Sequence, residues 1–139
     1  MTVKTMSIQV STLGNADIVD ITDLVVKAVL DSGVNDGVAT IFTPSSTSGL
    51  TTIEYESGCL SDLRRLFDEI VDPERHYSHN ARWGDGNGHS HVRAALIGAS
   101  FTVPVVDKRL TLGTWQQIIL IDFDNRSRKR DLVIQLVGE

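Results

Sequence analysis

Between Gln117 and Phe123 the sequence reads Gln-Ile-Ile-Leu-Ile-Asp-Phe, with an apolar side chain at nearly every position. A strand with one face in water alternates apolar and polar residues. A strand that does not alternate is covered on both faces. This run therefore demands a fold with a layer on each side of it. Helix is expected on one side and another subunit on the other, because the few short helices legible elsewhere would not cover a whole sheet twice.

The neighbouring segments supply the other layers. Met6, Ile8 and Val10 alternate with Ser7 and Gln9, the period of a half-buried strand. Asp20 to Thr22 offers caps for a helix carrying Leu24, Val25, Ala28 and Val29, with Gly33 as its stop. Val38 to Phe42 and Leu50 to Tyr55 read as strands around the small-polar tract Pro44 to Gly49. Ser61 is a cap for a second helix with Leu60, Leu63, Leu66, Phe67 and Ile70 on its apolar face, ended by Asp72-Pro73. Residues 74–90 carry no hydrophobic period, and a short third helix is expected from near His89 to Gly98. Phe101 to Val106, Leu110 to Thr114, Gln116 to Phe123 and Lys129 to Val137 complete the strands. The expectation is one compact α+β domain over residues 1–139, with a mixed or antiparallel sheet, two main helices and one short helix.

Composition narrows the partners. A net charge of −5 and a pI near 5.3 disfavour nucleic acid, whose phosphates need a basic face. The one basic run, Arg126, Arg128, Lys129 and Arg130, reads as a solvated strand face or a subunit contact. The single cysteine, Cys59, cannot staple the fold and reads as a buried structural thiol in a reducing compartment. No apolar run approaches the roughly 18–20 residues of a membrane span, and no leader pattern opens the chain. The expected setting is the cytoplasm, and the expected partner is a small molecule.

Chemistry concentrates between His79 and His91, within a stretch that holds all four histidines. Histidine is the commonest metal ligand, and in an extended backbone His89 and His91 would point the same way. With His79 they would fill three corners of an open tetrahedral zinc site. Histidines beside a helix N-terminus could equally serve an anion. The tract Gly84-Asp-Gly-Asn-Gly-His precedes a helix but is no Walker loop, and it reads first as a turn. Ser45, Ser46, Thr47 and Ser48 could donate to a phosphate, and Glu54 could act as a general base. Trp115 reads as core rather than as a stacking platform.

Leu112-Gly-Thr-Trp-Gln-Gln-Ile118 resembles the signature of the YjbQ family, also labelled secondary thiamine-phosphate synthase. Tyr77-Ser-His-Asn80, Gly88 to Gly98, Val103-Pro-Val105, Arg109-Leu110 and Gly138-Glu139 follow in the family's order, so the resemblance covers nearly the whole chain. It implies a homotrimer, or a dimer of trimers, and a pocket in which His79, His89 and His91 hold a divalent metal, zinc first, or an anion. It implies catalytic roles for Glu54 and these histidines. Anion contacts are expected from Ser46, Thr47, Asn80, Arg93, Arg109 and Gln116, on a phosphorylated substrate. The implied reaction joins a pyrimidine-methyl pyrophosphate to a thiazole phosphate. The alternatives are metal-dependent hydrolysis of a small phosphorylated or carbonyl substrate, and a non-catalytic metal- or ligand-binding trimer. The chain departs from many members in having Pro44 to Ser48 where they carry a histidine at the head of that loop.

Overall fold

In the computed structural model, which describes residues 1–139, the apolar run becomes β7 (Gln117–Asp122), the middle strand of a three-stranded antiparallel sheet. Its neighbours are β2 (Asp17–Asp20) and β4 (Ser48–Ile53), with Ile18 opposite Ile121 and Leu50 opposite Leu120. A second antiparallel sheet, of five strands, runs in the order β1 (Thr2–Thr12), β8 (Arg128–Gly138), β3 (Gly37–Phe42), β5 (Ser100–Val106) and β6 (Arg109–Leu110). Strands β1 and β8 pair along their whole length, from Thr2 opposite Gly138 to Thr12 opposite Arg128.

The larger sheet packs on one face of the smaller one. Ile118 and Leu120 of β7 share a core with Ile41, Leu132, Ile134 and Leu136. Helix α1 (Thr22–Ser32) adds Val25, Ala28 and Val29 to that core. Asp20 starts α1 by accepting hydrogen bonds from the Thr22 N–H and hydroxyl, at 2.9 and 2.6 Å. Gly33 ends it in the left-handed region, at φ 77°. On the other face of β7, Ile119, Ile121 and Phe123 meet helices α2 (Ser57–Ile70) and α4 (Gly88–Ile97) through Phe67 and Ala94. Phe67 stands edge-on to Phe123 with ring centres 4.9 Å apart.

The strand read as needing a layer on each face therefore has both within one chain. The second layer is a sheet rather than another subunit, and Ile119 and Ile121 are fully buried in the single protomer. Alternation in β1 shows an apolar face but not the layer it faces, so one sheet was expected where two form. Other differences are local. The four-residue β2 is too short to show a period, and strand structure after β5 is confined to the two residues of β6 before β7. A fourth helix, α3 (Ser78–Trp83), occupies part of the stretch expected to be irregular. Helix α2 begins ahead of Ser61, because the Glu56 carboxylate caps it by accepting from the Gly58 and Cys59 N–H groups at 2.7 and 2.8 Å. Those bonds hold the Glu56 carboxyl below its ordinary range. Trp115 is exposed, not core.

Burial of β7 within the protomer has a measurable consequence. Replacing Ile121 by alanine leaves a cavity and should lower unfolding free energy by about 2–5 kcal/mol. Denaturant titration at several protein concentrations should give the same loss at each. A loss that changes with concentration would place Ile121 at a subunit interface instead.

Candidate metal and anion site

Helix geometry decides which histidines meet. His89 and His91 lie in the first turn of α4 rather than in a strand, so their side chains diverge by ~200° around the axis. His91 turns toward His79 on α3, with ring centres 4.4 Å apart. His89 turns the other way and is buried near Tyr77, its Nδ1 without a hydrogen-bond partner. Burial, and after it the nearby Arg93 charge, hold the His89 pKa below its ordinary value, so the ring is neutral near pH 7. The third corner expected from His89 is filled by Asp85. One ligand atom from each of His79, Asp85 and His91 lies within 4.8 Å of the others. His76 is exposed and outside this cluster.

Short-range contacts bring α3 and α4 together. Gly88 opens α4 against α3, where a Cβ would meet Tyr77 Cβ at 2.5 Å and Asn80 Oδ1 at 3.0 Å. The Gly88 N–H donates to Asn80 Oδ1 at 2.8 Å. Asn80 thus positions the helix start instead of facing an anion. The His79 Nδ1 lies 3.2 Å from Asp85 Oδ1, yet it is buried and its geometry gives no hydrogen bond. A buried ring nitrogen left unpaired is costly. A cation between His79, Asp85 and His91 would satisfy it, and two imidazoles with one carboxylate suit zinc or a similar divalent ion. The donor set therefore fits a metal.

Beside the cluster lies an open pocket of about 370 Å³, lined by Ser45, Ser46, Thr47, Asn87, Arg128 and Arg130 among others. Its floor is a buried polar network. Arg130 grips Asp122 with two hydrogen bonds, 2.7 and 2.9 Å, and donates to Thr47 Oγ1 at 2.8 Å. Asp124 accepts from Thr47, Asn87 and Arg128. Burial alone would raise the Asp124 pKa, but these hydrogen bonds and the Arg128 charge outweigh it and hold the group below the ordinary value of 3.8. Ser90 ties Asn87 to the Phe123 carbonyl at 2.8 and 2.6 Å.

Of the other residues singled out by sequence, Ser45, Ser46 and Thr47 reach this pocket, whereas Arg93, Arg109, Gln116 and Glu54 do not. Arg93 is buried, donating to the Val71 carbonyl and Asp68 while lying over Phe67, so it clamps α4 to α2. Arg109 sits on the β5–β6 hairpin. Gln116 braces the preceding turn by accepting from Gly113 N–H and donating to Thr52. Glu54 follows the far end of β4, ~20 Å of extended chain from Thr47. There it shares a pocket with Tyr55 and the exposed Trp115. Cys59 is half-buried beside it, and burial with the Glu54 charge raises the thiol pKa, which makes it a poor nucleophile.

Sequence reasoning passed over Asp85, Asn87, Asp122, Asp124, Arg128 and Arg130. One signal was available. Acids at Asp122 and Asp124 close an apolar run, and Arg128 and Arg130 follow after a tight turn at the same spacing of two. Residues two apart share a strand face, so this pattern matches carboxylates to guanidiniums across two strands.

The Asp124 shift sets a pH dependence. Its folded pKa is depressed, so its stabilising contribution is full above the unfolded value and is lost as pH falls through the folded one. Melting temperature should therefore decline as pH drops below about 4. Asp124→Asn should flatten that part of the acid limb, and an unchanged limb in the variant would show that other carboxylates carry it.

Residues 6–139 match the family model described as UPF0047 protein YjbQ-like. A UPF0047 protein of Methanothermobacter thermautotrophicus is 35% identical over 139 residues, spanning 100% of this chain and 95% of the relative. The UPF0047 protein YugU of Bacillus subtilis is 33% identical over 133 residues, covering 95% and 98%. The crystal structure of a YbjQ-like protein of unknown function from Sulfolobus solfataricus superposes with a TM-score of 0.94 at 35% identity, covering 99% of each chain. A hypothetical protein from Aeropyrum pernix gives a TM-score of 0.91 at 30% identity, over 98% of this chain and 99% of that one. In sequence along its length and in fold, the chain is a member of the UPF0047 family of YjbQ-like proteins.

Proposed function

We propose that the chain is a divalent-metal-dependent hydrolase of a small phosphorylated molecule. The observation that carries this reading is the trio His79, Asp85 and His91, with ligand atoms within 4.8 Å and a buried nitrogen unpaired. Charge supports it. Around the pocket, the carboxylates of Asp85, Asp122 and Asp124 outnumber the guanidiniums of Arg128 and Arg130 by one. An anion is repelled until a cation joins. When bound, a divalent ion supplies Lewis-acid polarisation of a phosphoryl oxygen and acidifies a water. The chain's own residues do the rest. Arg128 and the hydroxyls of Ser45 and Ser46 face the space where phosphoryl oxygens would lie. Arg130, fixed by Asp122, holds Thr47 in place.

Coupling of two thiamine precursors draws its support from the family label alone, since Glu54, Arg109 and Gln116 lie apart from the histidines. A cytoplasmic setting is consistent with the lone thiol and with the absence of any helix long and apolar enough to cross a membrane.

Calorimetric titration with zinc should show one site per chain. His91→Ala and Asp85→Asn should each weaken it by at least tenfold without changing the fold. Phosphate release from p-nitrophenyl phosphate should require the metal and fall with it in both variants. Zinc affinity that is unchanged in both variants would sink the reading.

We also propose that the homotrimer implied by the resemblance assembles through the outer face of the five-stranded sheet, not through β7. Val38, Thr40, Phe42, Val133, Gln135 and Val137 are neighbours there by register. No charge appears among them, although 22% of the chain is charged. Val38 and Phe42 are exposed. Light scattering should give three times the 15.2 kDa chain mass, and Thr40→Lys should reduce it to one. A variant that keeps the wild-type mass would exclude this face.

A further inference from the structure

His91 stands between two lobes of one cleft. On one side is the polar pocket of Arg128 and Arg130. On the other is a second cavity of about 340 Å³, walled by Ala94 and Ala95 of α4 and by Gly98 and Ala99 beyond the helix end. Ser45, Ser46 and His91 line both lobes. The backbone fixes the shape of the second lobe. Gly98 adopts φ 96° and ψ 161°, a conformation essentially reserved for glycine. Its carbonyl accepts from the Leu50 N–H at 3.1 Å, and the Ala99 carbonyl accepts from Thr43 N–H at 2.9 Å. At Gly49 a Cβ would meet Ile97 Cγ2 at 2.6 Å, so β4 and the end of α4 are already pressed together beside the cavity. The lobe is thus a built space held open by small residues, with no carboxylate, lysine or arginine on its walls.

We infer that this second lobe receives the non-phosphate part of the substrate, and that Ala95 and Ala99 determine which substrates fit. The substrate class is a phosphomonoester with a compact, uncharged organic body. Its phosphate lies toward Arg128, its body against α4, and its ester oxygen beside His91. This inference rests on the metal-and-phosphate reading above. An uncharged body suits walls of methyl groups and serine hydroxyls, where a second charge would lose water without gaining a partner. Both alanine side chains are open to the cleft, so larger residues there fill the space without entering the core.

The experiment uses cobalt(II)-loaded protein, titrated calorimetrically with phenylphosphonate, whose carbon–phosphorus bond is not hydrolysed, and with inorganic phosphate. Wild type should bind phenylphosphonate at least tenfold more tightly than inorganic phosphate. Ala95→Leu and Ala99→Leu should erase that preference, while cobalt absorption and inorganic phosphate affinity stay as in wild type. Ala95→Ser, which keeps the volume small, should retain the preference. Equal affinities in the wild type, or a preference that survives both leucine variants, would overturn the lobe assignment and leave the metal reading standing. Failure of wild type to bind cobalt would overturn the metal reading itself, and the inference with it.

Discussion

The two sheets are joined at the site by ion pairs, of which Arg130–Asp122 is the shortest and most buried. Arg130 belongs to β8 in the five-stranded sheet, and Asp122 belongs to β7 in the three-stranded sheet. Asp122 is fully buried, so its charge has left water and must be matched in place. Two parallel hydrogen bonds from the guanidinium do this, and the Thr12 hydroxyl donates a third at 2.5 Å. Coulombic gain of this kind roughly offsets the desolvation it requires, so the pair adds less to stability than its geometry suggests. What it adds is register. With Arg130 locked to Asp122, Thr47 and Arg128 can occupy only the positions seen around Asp124.

That register explains why the site assembles from distant segments. The loop before β4 brings Ser45 to Thr47, the turn after β7 brings Asp124, β8 brings Arg128 and Arg130, and the α3–α4 corner brings Asn87 and both clustered histidines. Asn87 spans two of these groups, donating to Asp124 and accepting from the Asn125 N–H and the Ser90 hydroxyl. The histidines are thereby anchored to the arginine pocket through hydrogen bonds rather than through apolar packing. This arrangement holds polar groups at the edge of the apolar clusters.

Much of the fold was legible because its strongest signals are periodic. β1 carries alternation and α1 helical spacing, and β7 declares itself by lacking alternation. What the pattern leaves out is the identity of the opposing layer: the apolar face of Leu132, Ile134 and Leu136 would look the same against helix or sheet. The site was half legible. His79 and His91 were found from residue type and family likeness. His89 was grouped with them on the premise of extended backbone, and a helical turn reverses that geometry. The arginines were discounted because a basic run on a C-terminal strand is usually solvated. Here the acids that neutralise them sit a few residues earlier, beyond a turn.

Pairing of β1 with β8 along their full length has a kinetic meaning. Thr2 finds Gly138 and Thr12 finds Arg128 only after nearly the whole sequence between them has been gathered. Contacts of such separation carry a large loop-closure entropy, and proteins dominated by them fold on the millisecond-to-second scale rather than in microseconds. Because β8 is also the strand that contributes Arg128 and Arg130, the polar pocket depends on this long-range pairing. Until β8 is in place, His91 and Ser45 lack the cations opposite them. The polar pocket is thus complete only once the long-range sheet has closed.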